Sequence, residues 1–94
     1  MIINWEDNEG NLYEAKLYGH QDYPHAILKV WSRKNRKSSK AGVHSVLYER
    51  EGNINLSDLS VSLAKKAREY GCPYEKADEI MKHGFYRYKD GQIP

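Results

Sequence analysis

The densest functional chemistry in the chain lies in Ser32-Arg33-Lys34-Asn35-Arg36-Lys37-Ser38-Ser39-Lys40-Ala41-Gly42, which places five cations in a stretch with no acid and no apolar side chain larger than alanine. Such a segment has nothing to bury. Its arginines and lysines suit phosphate, because each neutralised phosphate releases condensed counterions, and Ser and Asn can donate to phosphate oxygens. Lys29 and Trp31 lead into the run and Tyr48 follows it, so Trp31 and Tyr48 are candidate rings for base stacking, worth about 1–3 kcal/mol per base. The C-terminal stretch repeats the mixture, with Lys82-His83-Gly84-Phe85-Tyr86-Arg87-Tyr88-Lys89 interleaving aromatic and basic residues. The nucleic-acid-contacting set expected from these patterns is Lys29, Trp31, Arg33, Lys34, Arg36, Lys37, Lys40, Tyr86, Arg87, Tyr88 and Lys89. The competing reading of the run is a solvated hairpin tip, since blocks of like charge are commonly that or an interaction tail.

Other residue types point to weaker chemistry. His20, His25, His44 and His83 include no pair at metal-ligand spacing on a helix, so no metal is expected. His25 and His44 are expected as cross-strand neighbours near the mouth of a hairpin, and histidines beside bases are the makeup of a metal-independent ribonuclease, with one imidazole as base and another as acid. Cys72 lies between Gly71 and Pro73 at a helix start, where a thiolate is stabilised, but a small buried hydrophobe is the simpler role. Ala67, Gly71 and Ile80 have the spacing of a DNA-reading helix-turn-helix. Its second helix would carry Glu75, Asp78 and Glu79 against Lys76 and Lys82, a negative face that repels phosphate, so a plain αα-hairpin is expected instead. No Gly-rich phosphate loop, paired-carboxylate site or nucleotide fingerprint is present, and no cofactor is expected.

These residues need elements to hold them. Met1–Trp5 is a short apolar start, and Asp7–Asn11 is turn chemistry. Leu12–Tyr18 alternates, with Tyr13, Ala15 and Leu17 on one face and Leu12, Glu14, Lys16 and Tyr18 on the other. Gly19–Pro24 reads as a loop, because Pro24 lacks the amide a central strand needs. His25–Ser32 alternates again, with Ala26, Leu28 and Val30 opposite Ile27, Lys29 and Trp31. Val43–Glu49 is rich in β-formers and closes a second hairpin, with a break at Glu51–Asn53. From Leu56 the apolar positions recur at helical spacing, with Asn55 or Ser57 as N-cap and Gly71 as the glycine after the helix. Pro73 opens a second helix whose apolar stripe is Tyr74, Ala77, Ile80 and Met81, and Gly84 ends it.

The sequence therefore predicts one α+β domain over residues 1–94: a four-stranded antiparallel sheet of two hairpins within about residues 1–50, a C-terminal αα-hairpin within about 55–84 packed on one face, and an aromatic-basic tail over 85–94. Leu, Ile, Val and Phe number 18 of 94 residues, so the eight tyrosines and two tryptophans must supply much of the core. A lone cysteine excludes a disulfide-stapled fold, and the N-terminal residues lack the basic and apolar regions of an export signal, so a cytoplasmic, membrane-free protein is expected. The formal net charge of +2 hides segregation: residues 1–28 carry −4 and residues 29–50 carry +6. With Asp7, Glu9, Glu14 and Asp22 at one end and the basic run at another, the molecule would be dipolar and able to steer a protein partner. The leading expectation is a small non-enzymatic protein that contacts nucleic acid or a nucleoprotein complex through its basic loop. The alternative is a protein-directed inhibitor or adaptor, of the kind a phage uses against a host enzyme or defence complex.

Overall fold

A computed structural model describes residues 1–32 and 44–84, and the backbone of residues 92–93. The strands are β1 (Ile2–Glu6), β2 (Leu12–His20), β3 (Tyr23–Trp31) and β4 (Ser45–Glu51), followed by helices α1 (Leu56–Glu69) and α2 (Tyr74–His83) and a two-residue strand β5 (Gln92–Ile93). The sheet is antiparallel in the order β1-β2-β3-β4, and the two helices pack on one of its faces. β5 adds to the four expected strands; it pairs with Gly19 and His20 of β2, continuing the edge that β1 leaves beyond Lys16.

Period-two alternation sorts β2 and β3 as the sequence pattern implies. Tyr13, Ala15, Leu17, Ala26 and Leu28 are buried under the helices. Lys16, Tyr18, Lys29 and Trp31 lie on the opposite, open face. The loop expected over Gly19–Pro24 is instead a two-residue turn at Gln21–Asp22, with His20 opposite Tyr23 and Pro24 opposite Gly19 inside the ladder. Pro24 is tolerated because its carbonyl accepts from the Gly52 N–H (3.3 Å) on the β4 side. A residue's N and O point to the same side of an antiparallel strand, so the missing donor falls at the outer end of the β3–β4 ladder.

The tyrosines do not supply much of the core as expected. Among the described residues the buried positions are mostly Leu and Ala, with Trp5 and Tyr13 the aromatic members. Tyr23 and Tyr74 are exposed, because the leucines of β2, β3 and α1 already fill the space between sheet and helices. Trp5 stacks on Tyr13 with centroids 5.2 Å apart and planes 4° off parallel, and Tyr70 closes on Tyr13 at 5.9 Å. The Trp5 indole N–H donates to the Tyr70 carbonyl (3.0 Å), which joins the edge strand to the end of α1. Asn55 caps α1 by accepting from the Ser57 N–H (2.9 Å). At its other end Gly71 adopts φ +86°, Cys72 N–H donates to Ala67 O and Gly71 N–H to Arg68 O. That is a Schellman ending with buried Cys72 packed where its apolar contact belongs. α2 lies against α1 through Ala77 and Ile80, while Tyr74, expected in the buried stripe, is 75% exposed. Pro73 stands one residue earlier than expected, at the N-cap of α2.

Candidate functional site

Of the expected contact residues, Lys29 and Trp31 are described; Arg33, Lys34, Arg36, Lys37, Lys40, Tyr86, Arg87, Tyr88 and Lys89 lie outside the described residues. Both described residues sit near the end of β3, on the open face of the sheet, where the chain leaves toward the basic run. Trp31 is registered against Leu12 of β2, and Lys29 against Glu14 of β2 and Val46 of β4. The ring next to Trp31 is His44, at 5.2 Å between centroids and 46° between planes.

Tyr48 does not supply the second ring. A strict alternation along β4 would put His44, Val46 and Tyr48 on one face, but the β3–β4 register slips between Leu28 and Lys29, so that Leu28 faces Tyr48 while Lys29 faces Val46. The extra residue is Leu47, and a one-residue bulge turns everything beyond it to the other face. His44 and Val46 stay on the open face, and Tyr48 turns under the helices, where its hydroxyl donates to Ser62 Oγ (3.3 Å). His44 is thus the neighbour that sequence alternation could not assign, because the bulge is a property of pairing and not of either strand.

The two histidines expected side by side are apart. His25 is registered against Glu51 while His44 lies beside Trp31, six residues along β3, roughly 20 Å at about 3.3 Å per residue. His25 is engaged where it stands: Nε2 is 3.0 Å from Glu49 Oε1, Nδ1 is 3.3 Å from Glu51 Oε2, and the ring packs on Tyr18 at 4.5 Å. Lys16 covers the Tyr18 ring at 4.7 Å to the centroid. Burial, then the Glu49 and Glu51 charges, push the Tyr18 phenol up. This far end of the open face gathers Glu49, Glu51 and Lys16 about an aromatic pair, whereas the Trp31 end has Glu6, Glu14 and Lys29 on the same face and leads in sequence into the basic run.

The charge segregation of the sequence takes a different form in space. Glu6 pairs with Leu12 and Leu12 with Trp31, so the Asp7–Asn11 turn stands at the same end of the sheet as the start of the basic run, and Asp22 stands at the opposite end. The expected separation of Asp7 and Glu9 from the basic run does not hold. Asp7 is also occupied. Its Oδ1 accepts from the Glu9 and Asn11 N–H groups (2.9 Å each), and its Oδ2 from Asn11 Nδ2 (3.0 Å) and the Tyr13 hydroxyl (2.8 Å). Desolvation alone would raise its pKa, but these hydrogen bonds outweigh it and hold the carboxyl at about 2. Tyr13 is pushed up to about 12 by burial first and by its bond to Asp7.

The remaining candidates are structural. Cys72 is fully buried, and burial pushes its thiol up despite the nearby charges of Lys76 and Arg68. α1 and α2 form the αα-hairpin, with Glu75, Asp78 and Glu79 exposed on α2. Among the described residues no group of three or more His, Cys, Asp or Glu is arranged to hold a metal ion, and no helix is long and apolar enough to cross a membrane. Searches of protein-family models, curated proteins and solved structures find no match to this chain.

Proposed function

We propose that this protein is a small non-enzymatic nucleic-acid-binding domain that works from the end of its sheet where residues 33–43 join β3 to β4. The observation that carries this reading is the Trp31–His44 ring pair, 5.2 Å apart on the open face at the two roots of a connection holding five cations and no acid. Rings beside a dense source of positive charge are the two parts that sequence-tolerant single-strand binding combines: stacking for bases, cations for the backbone. Lys29, one row inward on the same face, is registered against Glu14, and Glu6 shares the Trp31 row through Leu12, so the positive charge of this end comes from the connection and not from the sheet. Glu49 and Glu51 repel phosphate at the far end, so the strand would be held across the Trp31 end and not along the full length of β3. An acid–base ribonuclease pair gains nothing from the geometry, since His25 and His44 stand at opposite ends of β3.

The test is a salt titration of binding to a fluorescein-labelled single-stranded 15-mer. The variant Arg33→Ala/Lys34→Ala/Arg36→Ala/Lys37→Ala is expected to bind more weakly with a shallower dependence of log K on log salt, by about 0.7 for each phosphate that is no longer neutralised. Trp31→Ala is expected to cost about 1–3 kcal/mol of binding with the salt slope unchanged, because stacking releases no counterions. Equal affinity and equal slope for wild type and the quadruple variant, with both folded, would refute the proposal.

A further inference from the structure

The surface of the αα-hairpin turned away from the sheet carries a groove of about 280 Å³ between α1 and α2. Its walls are Ala64 and Arg68 on one helix and Tyr74, Ala77 and Met81 on the other, so the lining is mainly apolar. Small side chains at 64 and 77 leave the space. One end is built differently. The Arg68 guanidinium lies 3.7 Å from the centroid of the Tyr74 ring and also donates to the Cys72 carbonyl, so it is held in place from two sides. Tyr74 is the most exposed large apolar side chain among the described residues. An exposed ring kept upright by a pinned arginine is the residue pair on which protein interfaces concentrate their binding energy. A guanidinium has five N–H donors in a rigid fork, so bonding one carbonyl leaves donors for an incoming carboxylate with little further loss of freedom.

The charges around the groove decide its occupant. Lys65 joins Arg68 in the lining, and the acid of the lining, Asp78, is already paired with Lys82 at 2.8 Å. The groove therefore presents two cations at an apolar floor. A nucleic-acid backbone, which brings a charge with every nucleotide, would set phosphates against the apolar floor and beside Asp78, whereas one carboxylate next to one apolar side chain matches Arg68, Lys65 and the floor.

We propose that the groove between α1 and α2 is a docking site for an acidic peptide segment of a partner protein, which seats one apolar side chain on Ala64, Ala77 and Met81 and one carboxylate on Arg68 and Lys65. Tyr74 forms the wall against which the apolar side chain packs. The site is on the helical layer and is independent of the Trp31–His44 end of the sheet.

The experiment is selection of a phage-displayed random 12-mer peptide library on the immobilised full chain, followed by titration of the enriched peptide against variants. Wild type is expected to enrich sequences that place Asp or Glu within four residues of Leu, Met or Phe. Arg68→Glu and Tyr74→Ala are each expected to weaken that peptide at least tenfold, and Lys65→Glu/Arg68→Glu to enrich basic peptides instead. The Lys65, Arg68 and Tyr74 side chains are exposed, so thermal melts should show each variant folded; Ala64→Leu, which fills the groove from its floor, gives a second test that leaves all charges in place and should also abolish binding. Failure to enrich a peptide, enrichment without the acid–apolar pattern, peptide affinity unchanged in Arg68→Glu and Ala64→Leu, or displacement of the peptide by a single-stranded 15-mer would each overturn the proposal.

Discussion

Gly84 ends α2 in an ordinary right-handed conformation, φ −71°, so its backbone alone does not require glycine. By that criterion Gly84→Ala should stabilise the fold by about 0.4–1 kcal/mol through the unfolded chain. The packing says otherwise. A Cβ built there falls 1.9 Å from Ser60 Oγ, 2.9 Å from Ser60 Cβ and 2.8 Å from Ser57 Cα. Ser60 is fully buried with its hydroxyl 3.0 Å from Ser57 O and 3.3 Å from Met81 O, so it has no open rotamer to escape into, and Ser57 Cα is backbone. Relief must come from sliding α2 along α1, an overpacking that costs about 1–3 kcal/mol and outweighs the entropic gain. The expected outcome is a net loss of about 1–2 kcal/mol, a fall in Tm of roughly 4–16 °C for a domain of this size. Trp5, buried in its stack on Tyr13, reports the transition by fluorescence in a Trp31→Phe background. Ser60→Gly removes two of the three clashing atoms, so the pair Gly84→Ala/Ser60→Gly should be less destabilised than the sum of its parts by at least 0.5 kcal/mol or so. A Gly84→Ala protein melting at or above wild type, or strict additivity in the double variant, would refute the idea that contact distance and not backbone conformation fixes glycine at this position.

The Asp7–Tyr13 pair sets two limits of pH stability. Asp7 is depressed from 3.8 to about 2, so its contribution is present above about 4 and is lost as pH falls through 2; the acid-side slope of urea midpoints should flatten in Asp7→Asn. Tyr13 is raised from 10.0 to about 12, so its contribution is present below 10 and is lost as pH rises through 12; Tyr13→Phe should reduce the slope between those values, with a residue left by Tyr18. Asn55→Ala should cost about 1 kcal/mol in urea unfolding by removing the side-chain acceptor for the first turn of α1, and Asn55→Asp should restore it.

What could be read from the sequence was local. The faces of β2 and β3 follow from alternation, and the ends of α1 from Asn55 and Gly71, because each depends on a few consecutive residues. What could not be read depends on pairing. Pro24 enters a strand because the donor it lacks falls beyond the last β4 partner, and Tyr48 changes face because β4 gains one residue opposite β3. Tyr74 fits a helical stripe by spacing, yet the face of α2 that meets α1 is centred on Ala77 and Ile80, leaving the Tyr74 ring exposed beneath Arg68. Composition pointed to a tyrosine-rich core, but among the described residues the buried positions are mostly Leu and Ala with Tyr13 the one tyrosine, and the Trp5–Tyr13–Tyr70 column is tied to the end of α1 by a bond between residues 65 apart.

The same pairing changes what the charges of the sequence mean. Read linearly, an acidic hairpin precedes a basic one. Folded, the hairpin that carries the basic connection also carries Glu49 and Glu51 at its other end, clamping His25, and the acidic turn at Asp7 has its carboxylate taken up by four donors beside the roots of that connection. Glu6 and Glu14 lie on the open face toward the Trp31 end as Glu49 and Glu51 do toward the His25 end. On the proposed function a phosphate backbone would therefore gain from the basic connection alone, which limits its footprint to the few nucleotides near the connection and its flanking rings. The helical layer differs: Lys65 and Arg68 flank one apolar groove whose lining acid, Asp78, is paired with Lys82, an arrangement suited to one carboxylate beside one apolar side chain. Because the sheet's open face and the groove lie on opposite layers, the proposed nucleic-acid strand and acidic peptide would not compete for space. On these two proposals the domain is a bridge between a nucleic acid and a protein rather than a binder of either alone.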